Sequence, residues 1–155
     1  MKRRPSLRHR LFHTYFLFKR PMTLGVRGIV LDEARRSVFL IRHTYVPGWQ
    51  FPGGGVERGE TFEDALAKEL REEGNIELSG RPQLFALYKN AHASKRDHVA
   101  VYVCRQFHQT APRGPDHEIA EAGFFPLEGL PDDTTPSTRR RLDEVLRGQE
   151  PTPFW

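Results

Sequence analysis

Residues 53–76 read Gly53-Gly-Gly-Val-Glu-Arg-Gly-Glu-Thr-Phe-Glu-Asp-Ala-Leu-Ala-Lys-Glu-Leu-Arg-Glu-Glu-Gly-Asn-Ile76. Thr61, with Asp64 three residues on, has the spacing of a helix-starting capping box, Asp standing where Glu is usual. At 3.6 residues per turn, a helix from Thr61 to Gly74 puts Phe62, Ala65, Leu66 and Leu70 on one face, the face that packs against a sheet. Glu69 and Glu73 fall within that apolar stripe and Glu72 beside it. Lys68 and Arg71 fall on the opposite side, where Asp64 and Lys68 are spaced for an i,i+4 pair. Like charges on adjacent turns repel, and a buried unpaired carboxylate is costly or changes its pKa. A divalent cation relieves both, because converging hard oxygens are what Mg2+ or Mn2+ binds. A merely acidic, solvated helix is the alternative that helix geometry alone leaves open. The preceding Gly53-Gly54-Gly55 weighs against it. Consecutive glycines let backbone approach a ligand closely, and a loop placed ahead of a helix N-terminus suits phosphate.

Outward from this stretch, Thr23–Leu31 and Ser37–His43 read as strands joined by a polar turn, with a short extended piece at Trp49–Phe51. Downstream, Leu84–Tyr88 and the Val-rich His98–Phe107 read as strands. Residues 108–117 read as a loop and Ala122–Pro126 as a short strand. Thr135-Pro136 supplies an N-cap with proline at the first helical position, and Leu142, Val145 and Leu146 line one face up to Gly148. Strands outnumber helices and loops are short. The class expected is therefore α/β (α+β), a mixed sheet between helices.

The chain has 155 residues, 37% hydrophobic and 28% charged, and a mean hydropathy of −0.62. That suits one folded domain and excludes wholesale disorder. No apolar run approaches the ~20 residues of a membrane span. The lone Cys104 cannot form an internal disulfide, which makes a cytoplasmic location the expectation. Flanked by Val99, Val101 and Val103, it reads as buried filler. The seven histidines lack zinc-ligand spacing.

Charge is unevenly placed. Residues 1–31 hold eight Lys or Arg and no acid, so the remainder carries −4 against a net +4, and Glu57–Glu77 holds eight carboxylates against three cations. Leu7, Leu11, Phe12, Tyr15, Phe16 and Phe18 have helical spacing, ended by Lys19-Arg20-Pro21. A signal peptide would have a cleaner apolar stretch ending in small residues. The division expected is a basic arm over 1–20 whose helix packs on the domain, a main domain over 21–148, and a tail over 149–155. The arm's alternative role is contact with RNA, another polyanion or a membrane surface.

From Gly54 to Ile76 the chain resembles the Nudix hydrolases, whose signature is G-x5-E-x7-R-E-U-x-E-E-x-G-U, with U a bulky aliphatic residue. Gly54, Glu60, Glu69, Leu70, Glu72, Glu73 and Ile76 match it. Phe51-Pro52-Gly53-Gly54 before the box and Phe124–Pro131 after it echo the family's flanks. Lys68 replaces the signature arginine, keeping the charge but losing the bidentate fork. Asn75 replaces a glycine, in a cap position that asparagine tolerates. Neither change touches a metal ligand.

The resemblance implies a three-layer α/β/α sandwich around a central mixed sheet. It implies hydrolysis of a nucleoside diphosphate linked to another moiety, by water attacking phosphorus, with Mg2+ or Mn2+. It further implies Glu69, Glu72, Glu73 and the Gly53 carbonyl as metal ligands, with Glu72 or Glu73 alternatively the base, and Glu60 as a brace between loop and helix. A further acid comes from Asp116, Glu118 or Glu121, with Glu118 preferred for its place just before a strand. Gly54, Gly55 and Arg42 are candidates for phosphate, Arg42 equally for a structural ion pair, and Trp49 for stacking on a base or, preferred, for filling the core beneath the loop. The marks of coenzyme A, ADP-ribose and dinucleoside polyphosphate enzymes are missing. Nucleoside triphosphates, nucleotide sugars and capped RNA ends stay open, as does the oligomeric state, a homodimer included. The competing reading is a nucleotide sensor of the same fold without turnover, against which the intact glutamates argue.

Overall fold

The computed structural model describes residues 7–155, with His9 and Arg10 described for their backbone alone. Its elements are α1 (Leu7–Lys19), β1 (Thr23–Asp32), β2 (Ser37–His43), β3 (Trp49–Gln50), α2 (Phe62–Gly74), β4 (Ile76–Leu78), β5 (Gln83–Lys89), β6 (Asp97–Cys104), β7 (Phe107–Gln109), β8 (Ile119–Pro126) and α3 (Pro136–Arg147). β1 runs parallel to β6 from Thr23 beside Asp97 to Val30 beside Cys104, and β5 lies antiparallel along β6. At its far end β1 pairs with β2, which carries β3 and β8, all antiparallel. The main sheet is thus mixed.

Side chains alternate across a strand. Val26, Val30, Phe39, Ile41, Ala100 and Tyr102 meet Ala65, Leu66 and Leu70 of α2 on one side. Ile29, Leu31, Val38, Leu40, Val99 and Val101 meet Leu142 and Val145 of α3 on the other. The result is an α/β/α sandwich, as expected. Helix α2 starts with the capping box, in which Thr61 Oγ1 accepts from the Asp64 amide and Asp64 Oδ2 from the Thr61 amide, at 3.1 and 3.0 Å. It closes at Asn75, whose φ of 53° is left-handed. Trp49 is in the core, packed against Phe125.

Two expectations need correction. The Val-rich strand stops at Cys104 rather than Phe107. The chain then turns, and β7 pairs with β4 in a separate two-stranded sheet. Gln109 Nε2 donates to the Gly74 carbonyl at 2.8 Å, which fastens the end of α2. Strands of three residues carry too little periodicity to read, and this pairing is long-range.

The second correction concerns α1. Its helix forms, but it does not pack on the domain: Leu7, Leu11, Phe12, Tyr15, Leu17 and Phe18 are each at least 58% exposed. Its apolar residues spread over half the circumference, with Arg8 and Lys19 among them and Leu17 nearly opposite, so no narrow uncharged stripe is offered to the sheet. Residues 1–6 of the arm lie outside the described residues. The tail, by contrast, belongs to the fold. The Lys89 amide donates to the Pro153 carbonyl at 2.8 Å and the Lys89 carbonyl accepts from the Trp155 amide at 3.1 Å, and buried Arg141 donates to the Phe154 carbonyl at 3.0 Å. No described helix is long and apolar enough to cross a membrane.

Cys104 is buried, and burial pushes its thiol up to about 12. Since only the thiolate alkylates, iodoacetamide at pH 8 is expected to leave the native protein unmodified and to label it once in denaturant. Rapid native labelling would contradict the placement.

Candidate active site

The chain leaving β3 runs along β1. Amides of β1 at Gly28 and Val26 donate to the carbonyls of Pro52 and Gly54, both at 2.9 Å, and the Val56 amide donates back to Leu24 at 2.8 Å. Arg27 Nη1 donates to the carbonyls of Phe51 and Gly53, at 3.1 and 2.9 Å. The glycine loop is therefore held from two directions. Gly53 has a φ of 145°, and a Cβ there would meet the Val26 carbonyl and lie 2.9 Å from the Arg27 Cα. At Gly54 a Cβ would lie 2.7 Å from the Glu69 Cδ, so the Glu69 carboxylate sits directly across the loop backbone. Gly55 bridges to Gly25, and a Cβ on it would meet nothing within 4 Å.

Glu73 is buried, and its Oε2 accepts from the Gly53 amide at 2.7 Å. Burial dominates its titration and raises its pKa to about 7. The Gly53 amide and the Arg27 charge oppose that rise, and the Glu69 charge adds to it. Glu69 is half-buried and is also raised, first by burial and then by Glu72. The Glu72 side of the helix is exposed, and its carbonyl accepts from Arg113 Nε at 2.9 Å. Glu60 accepts from the Glu57 amide and from Lys68 Nζ, both at 2.9 Å, and these bonds hold it below the usual glutamate range. Lys68 thus ties loop to helix through one bond rather than a fork.

Asp116 Oδ1 accepts from the amides of Glu118 and Ile119, both at 2.8 Å, and Arg113 pairs with its other oxygen. Together these hold its pKa well below the usual range. Thr44 at the end of β2 donates its amide to the Glu118 carbonyl at 2.9 Å and its hydroxyl to that of His117 at 2.8 Å. This turn brings the Glu118 charge to bear on Glu69, Glu73 and His43. Glu121 instead pairs with Arg42, whose Nη1 also lies 3.9 Å from Asp133 and whose guanidinium lies 5.6 Å from the Trp49 ring. Arg42 lines a cavity of about 460 Å³ with His43, Tyr45, Gly48 and Asp133.

Two residues at this site escaped sequence reasoning. Arg27 is the sole charge within an otherwise apolar part of β1, and that isolation was its signal. His43 places Nε2 3.8 Å from Glu73 Oε1, while its Nδ1 is buried with no hydrogen-bond partner. Burial, then Arg27, lowers its pKa below the ordinary histidine value.

Glu69 and Glu73 of α2 thus meet the glycine loop, while Glu72 stays exposed, and the NUDIX domain family model matches residues 21–145. The chain belongs to the Nudix family. It is a hydrolase of phosphoric anhydride bonds. Among solved structures, a MutT Nudix hydrolase from Burkholderia pseudomallei is 27% identical, with a TM-score of 0.67, covering 79% of this chain and 97% of that one. A Nudix hydrolase from Nitrosomonas europaea is 23% identical, with a TM-score of 0.63 and coverages of 83% and 74%. An ADP-ribose pyrophosphatase from Streptococcus suis is 21% identical, with a TM-score of 0.63 and coverages of 83% and 94%; these last two likenesses concern the fold.

Nudix hydrolases generally use divalent metals. Among the described residues no three His, Cys, Asp or Glu side chains are gathered closely enough to hold a metal ion. The donor chemistry nevertheless fits a hard cation. Two acids are pushed up by burial and by neighbouring like charge. Arg27, the cation acting on both, commits Nη1 to two carbonyls.

Proposed function

We propose that this Nudix protein is a metal-dependent pyrophosphohydrolase that cleaves a nucleoside diphosphate linked to a second moiety. The observation that carries the reading is the buried Glu73 carboxylate, bonded to the Gly53 amide, with Glu69 lying across Gly54. Glu69, Glu72, Glu73 and the Gly53 carbonyl would hold Mg2+ or Mn2+. When bound, the ion supplies positive charge for the diphosphate and its transition state and makes a water more acidic.

The chain's own groups do the remainder. Arg27 fixes the carbonyls of Phe51 and Gly53, and so the direction in which the loop presents its backbone. The Gly53 amide orients Glu73, and the Lys68–Glu60 bond keeps loop and helix in register. Glu118, Glu72 and Glu73 are the carboxylates available to take a proton from the attacking water. Water adds to phosphorus, the bridging P–O bond breaks, and a nucleoside monophosphate leaves. The 460 Å³ cavity beside His43 and a neighbouring one of about 540 Å³, lined by Gln50, Asn90, His92, Arg140 and Trp155, offer room for the nucleoside and its attached group. Arg42, at the rim of the first, would exchange a carboxylate partner for phosphate.

A screen of nucleoside triphosphates, nucleotide sugars and capped RNA ends tests this. With Mg2+ or Mn2+, nucleoside monophosphate release is expected, and none in EDTA. Undiminished turnover in EDTA would overturn the metal dependence. Tight nucleotide binding with no turnover of any substrate would favour the sensor.

A further inference from the structure

Helix α1 has no place in the chemistry above, yet it carries the most concentrated exposed apolar surface of the described chain. At 3.6 residues per turn, Leu7, Leu11, Tyr15 and Phe18 follow one side and Phe12 and Phe16 the next. Leu17 stands nearly opposite. Arg8 and Lys19 fall within that broad apolar sector, between Tyr15 and Phe12, but at the first and last turns of the helix, where long stems let the charged heads reach past it. Arg20 lies 4.7 Å from the Phe16 ring centroid. Residues 1–22 contain seven Lys or Arg and no Asp or Glu. With a net charge of +4 overall, the rest of the chain carries −3.

The occupant must therefore be anionic and must accept apolar side chains over half a helix circumference or more. A protein groove takes a narrow i, i+3, i+7 stripe and would leave much of this surface in water. RNA would meet the cations and stack bases on some of the rings, but would leave Leu7, Leu11 and Leu17 in water. A second arm would bring seven cations against seven. At 13 residues the helix is about 20 Å long, too short to span a hydrocarbon core of about 30 Å. It suits the interface, where apolar side chains enter the acyl boundary and cations meet headgroups. We infer that α1 and its basic flanks dock this protein reversibly on an anionic lipid surface. The anionic body is repelled by that surface, so the arm makes the contact. Because α1 leads within three residues into β1, which carries the glycine loop, docking holds the site close to the surface.

Co-sedimentation of the full-length protein with vesicles tests this, comparing phosphatidylcholine alone with a mixture containing one third phosphatidylglycerol. Partition is expected to be at least about tenfold greater on the anionic vesicles and to fall at high salt. It is expected to drop about tenfold in Leu11→Glu/Phe12→Glu and in Lys19→Glu/Arg20→Glu. All four side chains project from the domain, so both variants should keep the wild-type melting temperature. Equal partition on both vesicle types would overturn the inference, as would wild-type partition by both variants. Absent vesicle binding would overturn it too. If wild type then bound polyuridylate, an RNA partner would replace the lipid; if it formed a dimer that Leu11→Glu/Phe12→Glu dissolved, a second copy would.

Discussion

Glu73→Gln is expected to lower kcat by roughly two to three orders of magnitude and, in EDTA above pH 7, to make the protein more stable than wild type. Both effects have one cause. Glu73 is buried, and in the folded, ion-free protein it keeps its proton up to about pH 7. In the unfolded chain it ionises in the ordinary glutamate range, so between the two values the unfolded state binds fewer protons. Stability therefore falls as pH rises through that interval and stays low above it. The shift from 4.5 to about 7 corresponds to roughly 3 kcal/mol. Glutamine still offers an oxygen to the Gly53 amide but never ionises, so that fall disappears. A bound divalent cation should offset the same cost in wild type, raising its melting temperature at pH 8 more than that of the variant. Thermal melts at pH 5 and pH 8, in EDTA and in Mg2+, check all of this alongside turnover. Full activity in the variant, or a stability difference that ignores pH, would remove Glu73 from the chemistry proposed here.

The capping box, the apolar face of α2, the Asn75 cap and the Pro136 start of α3 were legible in the sequence because each is local: spacing within one or two turns fixes them. So was the siting of Glu69 and Glu73 within a buried stripe. The less legible features depend on contacts between distant segments. Arg27 matters because the glycine loop happens to lie beside β1, 24 to 26 residues away along the chain. His43 meets Glu73 only once β2 and α2 occupy neighbouring layers. The β4–β7 pair joins two three-residue segments whose periodicity is too brief to register. Helix α1 shows the opposite limit. Its spacing announced a helix, but spacing does not say what a helix packs on, and apolar residues distributed around the axis left this one without a face for the domain.

Gly53→Ala is expected to destabilise the fold by about 2–4 kcal/mol and to remove most turnover, whereas Gly55→Ala, two positions on, should leave both nearly unchanged. Gly53 sits at a φ of 145°, a backbone region closed to side-chain-bearing residues, and its missing Cβ is what lets the loop lie against the carbonyl of Val26 and the Cα of Arg27. Backbone cannot step aside as a flexible side chain can. Relief would require the loop to peel from β1, breaking the Arg27 bonds to Phe51 and Gly53 and the Gly53 bond to Glu73. Glu73 would then be buried without its amide donor, a further cost on top of the strain. Gly54→Ala should fall between the two in stability. Its Cβ collides with the Glu69 carboxylate, which can swing away, so the fold survives while that side chain leaves its position across the loop. The melting temperature is expected to fall by roughly 5–15 °C for Gly53→Ala, with turnover ordered Gly55→Ala, Gly54→Ala, Gly53→Ala from most to least active. Equal loss at all three positions would mean that the loop serves as a flexible tether and that its fit against β1 and Glu69 is irrelevant to catalysis.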